Sequence, residues 1–327
     1  MYKKRYNIMK HYMWGFIPFF QTGGTVMSKK LLMIMNPVAG IKKTNKYLTE
    51  IISLFSDNGY EVQVQTTRKN FGADKIVELY AKDKDIIVCI GGDGTVNETI
   101  SGIISEKLSC SVGYIPSGST NDFANGLSLN MNPLEAAKEI IEGNVKNLDA
   151  GFFNDRLFIY TASFGLFTRA SYATPRDLKN SLGYLAYILE GTKEIKDIQP
   201  YHIKVKTKTK SFEGDYIFGA ICNTKQIAGG IIRFSDTNVD MNDGLLEVLL
   251  VKYPKNPAEV MQTIFDAQSG KFESSMFDFF SAEELTISTE DEISWTIDGE
   301  YQKGNEKITI KNVKSAIPII IKDKGKH

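Results

Sequence analysis

Asp85-Ile86-Ile87-Val88-Cys89-Ile90-Gly91-Gly92-Asp93-Gly94-Thr95-Val96-Asn97-Glu98 carries the architecture of this chain in fourteen residues. The apolar run has no polar alternation, which predicts a strand buried on both faces. Two glycines break it, and a helix is predicted over Thr95–Ser105, with Val96, Ile100, Ile103 and Ile104 on one face. Thr95 and Glu98 have the spacing of a capping box. A buried strand that turns on glycines into a helix brings bare main-chain amides to the positive end of the helix dipole. That is an anion site suited to phosphate.

The same alternation extends in both directions. Upstream, Leu31–Met35 is a second continuous apolar run, ending in Asn36-Pro37-Val38-Ala39-Gly40. A helix is predicted from Lys46 to Asn58, with apolar residues at 48, 51, 52 and 55, then a strand over Tyr60–Thr66 and a helix over Ala73–Ala81. Downstream, strand Val112–Ile115 enters a turn-forming loop, Pro116–Asn121. Helix Pro133–Glu142 follows, with Pro at its first position after Asn132 and Gly143 at its end. From Asn147 the pattern becomes strand-like, at Phe158–Phe164, His202–Phe212, Tyr216–Cys222, Leu245–Val251 and Ile308–Ile310, interrupted by one helix, Asp177–Ile195. The expected fold class is α/β with two domains, a β-α-β-α-β nucleotide-binding unit followed by a mainly β unit. The length of 327 residues supports two cores.

Composition narrows the function. With 42% hydrophobic and 24% charged residues the chain is neither disordered nor collagen-like. Basic and acidic residues both number 39, so no bulk positive field favours nucleic acid. Residues 1–26 hold Lys3, Lys4, Arg5 and Lys10 and no acid, leaving the remainder at net −4. Cys89, Cys110 and Cys222 lie far apart in apolar runs, as reduced thiols of a cytoplasmic protein would. Met13–Phe20, the longest strongly apolar stretch near the start, falls short of the roughly 20 residues of a spanning helix. It also lacks a cleavage site. Residues 1–27 are expected to be a non-native or disordered leader, with translation starting at Met27.

The glycine loop is neither a Walker A sequence nor a Rossmann fingerprint, because Asn97 occupies the place of the third glycine. Asp93 admits two readings. A carboxylate beside phosphates calls for an intervening cation, here Mg²⁺ on a nucleotide, or else Asp93 is a cap in a tight turn. Asp240 and Asp243 flank a glycine turn at a spacing that either converges on one hard cation or forms an acidic β-turn. Asp298-Gly299-Glu300 follows the strand-like Ile293–Ile297; alone it reads as a hairpin turn at a strand end. Lys204, Lys206, Lys208 and Lys210 would share one strand face, as a solvated edge or a headgroup-facing patch. Met276–Phe280 reads as core or as a lipid-chain pocket. His11, His202 and His327 are poorly placed as bases, so a hydrolytic triad is not expected.

Gly91–Glu98 together with Pro116-Ser117-Gly118-Ser119-Thr120-Asn121-Asp122-Phe123-Ala124 strongly resembles the diacylglycerol kinase catalytic-domain family, especially its soluble bacterial lipid kinases. The resemblance runs through nearly everything after Met27, and Leu182–Tyr187 resembles a helix of the family's second domain. The first motif is shared with NAD kinases and phosphofructokinases; the second is more discriminating. The resemblance implies a phosphofructokinase-like, Rossmann-like ATP-binding domain over 28–148, completed by 314–327 if the tail returns, and an antiparallel β-sandwich lipid domain over 149–313. It implies ATP contacts at Asn36, Pro37, Val38, Ala39, Gly40, Thr66, Gly91, Gly92, Asp93, Gly94, Thr95, Val96, Asn97 and Ser119, the last standing where threonine is more usual. It implies a structural Mg²⁺ held by Asp240, Asp243 and the Leu245 carbonyl, although Phe234-Ser235 replaces a usual proline upstream. Glu300 would be the proton acceptor, with Asp298 in the same base and metal network and Asp93 beside them. The implied reaction is ATP- and Mg²⁺-dependent phosphorylation of diacylglycerol or a related lipid alcohol, by a peripheral visitor to the inner face of the membrane. The alternatives are an NAD kinase-like enzyme with a soluble acceptor and a non-catalytic lipid- or nucleotide-binding regulator. Oligomeric state, a homodimer included, is not legible.

Overall fold

A computed structural model describes residues 28–38, 44–166, 198–227, 230, 232–234 and 239–323. Residues 1–27, Ala39, Gly40, Ser235 and the expected helix 177–195 with its 182–187 segment lie outside the described residues.

Four parallel strands form the first sheet, β1 (Lys29–Met35), β2 (Tyr60–Thr66), β3 (Ile86–Gly91) and β4 (Ser111–Pro116), in the order β2-β1-β3-β4. Leu31–Met35 and all of β3 are buried, as their unbroken apolar runs require. Helices α1 (Thr44–Asp57), α2 (Ala73–Tyr80), α3 (Asp93–Ser105), a short α4 (Asp122–Gly126) and α5 (Pro133–Glu142) complete the unit. Asn132 caps α5, its side chain accepting from the Leu134 and Glu135 amides. The register pairs Met35 with Thr66 and with Ile90, and Gly91 with Pro116. The carboxyl ends of all four strands therefore share one edge. Strand order reverses between β1 and β3, and the crevice at such a reversal is where open α/β sheets bind ligands.

The remaining strands are antiparallel and build a Rossmann-like-plus-β-sandwich architecture. They are β5 (Asn144–Phe153), β6 (Arg156–Phe158), β7 (Thr161–Gly165), β8 (Tyr201–Thr207), β9 (Ser211–Cys222), β10 (Gln226–Ile227), β11 (Ile232–Arg233), β12 (Leu246–Lys252), β13 (Phe277–Ala282), β14 (Glu284–Thr289), β15 (Ser294–Ile297), β16 (Glu300–Lys303) and β17 (Lys307–Ile321). Trp295 is fully buried at the centre of this core, with its ring 4.9 Å from those of both Phe153 and Phe164. Strand β17 joins the two units. It runs antiparallel to β14 and β5, and Ile319 then lies beside Val112 of β4 in a parallel pair.

Several sequence expectations need correction. The Thr95/Glu98 capping box does not form: α3 starts at Asp93 behind Gly92, with no side-chain cap. Glu98 instead accepts the Ala73 amide at 2.8 Å, holding the start of α2. His202–Phe212 is not one strand but the β8–β9 hairpin, so Lys208 and Lys210 leave the face of Lys204 and Lys206. Lys204 pairs with Glu213, and Lys208 with Glu283. Phe158–Phe164 is broken at residues 159–160, where the chain turns its amides toward Asp298. Met276 and Phe277 pack in the core. A helix α6 (Pro257–Ser269), capped by Asn256 and stopped by left-handed Gly270, was absent from the reading of the β-rich half.

Replacing Glu98 with Ala removes the acceptor at the start of α2. Urea unfolding should show a loss of about 1 kcal/mol, the cost typical of a lost helix cap.

Candidate active site

Two glycine loops meet at the carboxyl edge of the parallel sheet. A β-carbon on Gly118 would lie 2.6 Å from the Gly92 α-carbon, and one on Gly91 would lie 2.5 Å from Thr95 Cβ, so a side chain is excluded at Gly118 by backbone and at Gly91 by the Thr95 side chain. Asn121, left-handed at φ 53°, holds the second loop by accepting from Gly118 N at 2.8 Å and donating to Gly118 O at 3.0 Å. Asn36 Nδ2 donates to Thr95 Oγ1 at 3.2 Å, which docks the β1 turn onto α3. Thr66 stands beside Met35 at the same edge, and Ser119 is exposed in the β4–α4 loop. Pro37 and Val38 form the turn after β1, with Val38 77% exposed. In the first turn of α3, Asp93 and Gly94 carry N–H groups that no residue within the helix can accept.

The acids are arranged differently from their sequence reading. Asp93 is a cap, and of α4 rather than of its own helix: its carboxylate accepts from the amides of Asp122 at 3.0 Å and Phe123 at 3.2 Å. Burial raises its pKa, and these amides oppose the rise. Asp298 is enclosed and accepts four hydrogen bonds, from the amides of Ile159 (2.7 Å), Tyr160 (3.1 Å) and Thr161 (2.9 Å) and from Asn97 Nδ2 (2.6 Å). Burial pushes it up to about 6 against the lowering effect of those donors. It is a junction between α3 and the second unit, not an open base. Asn97, expected at the nucleotide, spends its side chain on Asp298 and Ser101, and the Val96 side chain is wholly in the core.

Glu300 is the exposed acid. Asp298 and Gly299 both have positive φ, 47° and 85°, and form the two-residue turn between β15 and β16. That turn delivers Glu300 to the start of α3, where a β-carbon on Gly94 would lie 3.6 Å from Glu300 Oε1. Sequence reading missed Arg156, whose Nη2 meets Glu300 Oε2 at 2.6 Å. Arg156 also borders a groove of about 760 Å³ between the far half of α3 and the β5–β6 hairpin, floored by Ile104, Phe152 and Leu157.

The acidic loop after β11 is organised by Asp149, which sequence reading also missed. This fully buried carboxylate accepts from Gly244 N at 2.6 Å and Ser315 N at 2.7 Å. Asp240 and Asp243 accept from the amides of Asn242 and Leu245, and the Leu245 carbonyl accepts from Asn312 Nδ2 at 3.2 Å. Among the described residues no three metal-ligating side chains converge. Two buried acceptors nearby nevertheless lack partners, Glu247 Oε2 and Asn223 Oδ1. Burial, then the charges of Asp243, Asp240 and Asp149, push Glu247 up to about 8. This all-oxygen, charge-rich surrounding fits a hard cation.

Two family models cover most of the chain, the diacylglycerol kinase catalytic domain over residues 30–153 and the YegS C-terminal NAD kinase beta sandwich-like domain over 161–321. The chain belongs to the diacylglycerol kinase catalytic-domain family and is a lipid kinase. This lipid kinase is 29% identical over 276 residues to the diacylglycerol kinase of Bacillus subtilis (strain 168), spanning 84% of this chain and 90% of that protein. It is 28% identical over 277 residues, with the same coverage, to the diacylglycerol kinase of Staphylococcus saprophyticus subsp. saprophyticus. A solved structure of a diacylglycerol kinase from Bacillus anthracis str. Sterne shares the fold, with a TM-score of 0.71 at 23% identity over 91% of this chain and 98% of that one. Among the described residues no helix of the lipid kinase is long and apolar enough to cross a membrane.

Glu247 gives a test by pH. Its folded pKa of about 8 exceeds the usual 4.5, so the native state keeps a proton that the unfolded chain sheds between those values. Stability from this group is full below pH 4.5 and lost as pH rises toward 8. In metal-free buffer, Glu247→Gln should raise Tm at pH 8 relative to the parent, with the difference shrinking as pH falls toward 5.

Proposed function

We propose that this lipid kinase transfers the γ-phosphate of ATP, as its Mg²⁺ complex, to the hydroxyl of diacylglycerol or a related lipid alcohol. The observation that carries the reading is the approach of the Glu300 carboxylate to Gly94, at the amide-bearing start of α3. A base and a phosphate cradle thus share one position, which is what phosphoryl transfer asks of a protein. In this reading Asn36–Val38, Thr66, Gly91–Thr95 and Ser119 line the nucleotide site, while Val96 and Asn97 support it from the core and from Asp298. The glycines and the amides of Asp93 and Gly94 receive the phosphates. Glu300 takes the proton of the lipid hydroxyl as that oxygen forms a bond to the γ-phosphorus, and the bond from that phosphorus to the bridging oxygen breaks to release ADP.

Asp93 and Asp298 serve differently from Glu300. Asp93 fixes α4 against the first loop, and Asp298 fixes the β15–β16 turn against α3. The acidic loop suits a structural Mg²⁺, which Asp240, Asp243 and the Leu245 carbonyl would hold beside the unpartnered Glu247 oxygen. Mg²⁺ on the nucleotide would neutralise charge on the phosphates. The names of the relatives support diacylglycerol as acceptor. A kinase without a spanning helix among its described residues would meet its lipid as a peripheral visitor.

The test is transfer from γ-labelled ATP with Mg²⁺ to a panel of lipid alcohols in mixed micelles. Organic-phase product lowered by roughly 10²–10⁴-fold in Glu300→Gln, the range of general base catalysis, is the expected result. Aqueous product alone would replace the lipid by a soluble acceptor, and full activity in Glu300→Gln would remove the base assignment.

A further inference from the structure

Glu300 forms an ion pair with one neighbour among the described residues, Arg156. Its side chain is 64% exposed, it begins edge strand β16, and Arg156 is the ion-pair partner that holds its carboxylate. An exposed carboxylate on a flexible stem samples several rotamers, and selecting one of them has an entropic cost. The Arg156 guanidinium does more than pair with it. Nη2 donates to Glu300 Oε2 at 2.6 Å, while Nη1 donates to the Tyr301 carbonyl at 3.2 Å and to Gln302 Oε1 at 3.1 Å. One planar group therefore grips the carboxylate and the strand that carries it, from β6 across to β16. The rigid fork of arginine permits this, and the ammonium of lysine, a point charge, does not reproduce it.

We propose that Arg156 is the positioning residue for the proton acceptor, holding the Glu300 carboxylate toward the start of α3. The proposal rests on the assignment of Glu300 as the base. Arg156 engages one carboxylate oxygen, Oε2, and the other, Oε1, is the one that approaches Gly94. The oxygen facing the phosphate cradle is thus left to take the proton. On its other side Arg156 borders the groove of about 760 Å³, whose lining includes Gln302 of β16 but not Glu300. Among the described residues Arg156 makes no hydrogen bond to either glycine loop, and its action on the reaction runs through Glu300.

A double-mutant cycle tests this with the full chain, reading kcat and KM for ATP in the mixed-micelle assay. Arg156→Ala should lower kcat on the order of 10- to 100-fold, as a catalytic group displaced by about 1 Å does, with KM for ATP unchanged. Arg156→Lys should recover only part of the loss. In the Glu300→Gln background, Arg156→Ala should cost little more, because residues that act as a unit are not additive. Losses that multiply across the two sites, or a rise in KM for ATP, would overturn the positioning role. Thermal unfolding of each variant identifies a loss of folded protein; if Arg156→Ala unfolds, Arg156→Gln carries the cycle. Inactivity of the parent on every lipid, or full activity of Glu300→Gln, would instead strike the base assignment.

Discussion

A buried carboxylate joins the two halves of this molecule. Asp298 stands after the second-domain strand β15; three of its donors are main-chain amides of the same unit, where β6 gives way to β7, and the fourth, Asn97 on α3, crosses to the first unit. A charge out of water is tolerated only where hydrogen bonds replace its hydration, and four donors do so here. Helix α3, the break between β6 and β7 and the turn that presents Glu300 are all tied to that one group. Removing it would leave three enclosed amides without acceptors, each a cost of about 1–3 kcal/mol.

The second constraint is the contact of glycine with glycine. Gly92 and Gly118 approach so closely that the second loop cannot carry a side chain at Gly118, and Asn121 and Asp93 lock the second loop and α4 against the first. The cleft edge is therefore made of main chain, with bare amides at the α3 terminus. Glu300 is the acid brought there with its oxygen uncommitted to amides. Charge is divided among the acids by burial: Asp93 and Asp298 are consumed in structure, whereas Glu300 stays at the surface under the control of Arg156.

The parallel sheet was legible because unbroken apolar runs and glycine turns are local signals. The position of the loops at its edge was legible for the same reason, since a glycine turn at a strand end is set by backbone. What escaped reading depends on partners distant in sequence. The family resemblance put Asp298 in a base and metal network with Glu300, but its donors lie 137–139 and 201 residues away. Arg156 is 144 residues from Glu300, and Asp149 organises an acidic loop 95 residues on. No periodicity records such pairs. The lysine stripe failed for a local reason, a turn at 208–210 read as continued strand, and α6 was missed despite Asn256-Pro257 at its start and Gly270 at its end.

Native-state hydrogen exchange at the amides of Ile159, Tyr160 and Thr161 tests most directly the central claim, that the buried Asp298 carboxylate is the acceptor that holds the β6–β7 break to the β15–β16 turn. If the carboxylate accepts from all three, they should exchange as slowly as the core amides of β3, and only through opening of the whole junction. Exchange at the rate of exposed loop amides, with β3 still protected, would show that Asp298 does not hold these groups and would contradict the account.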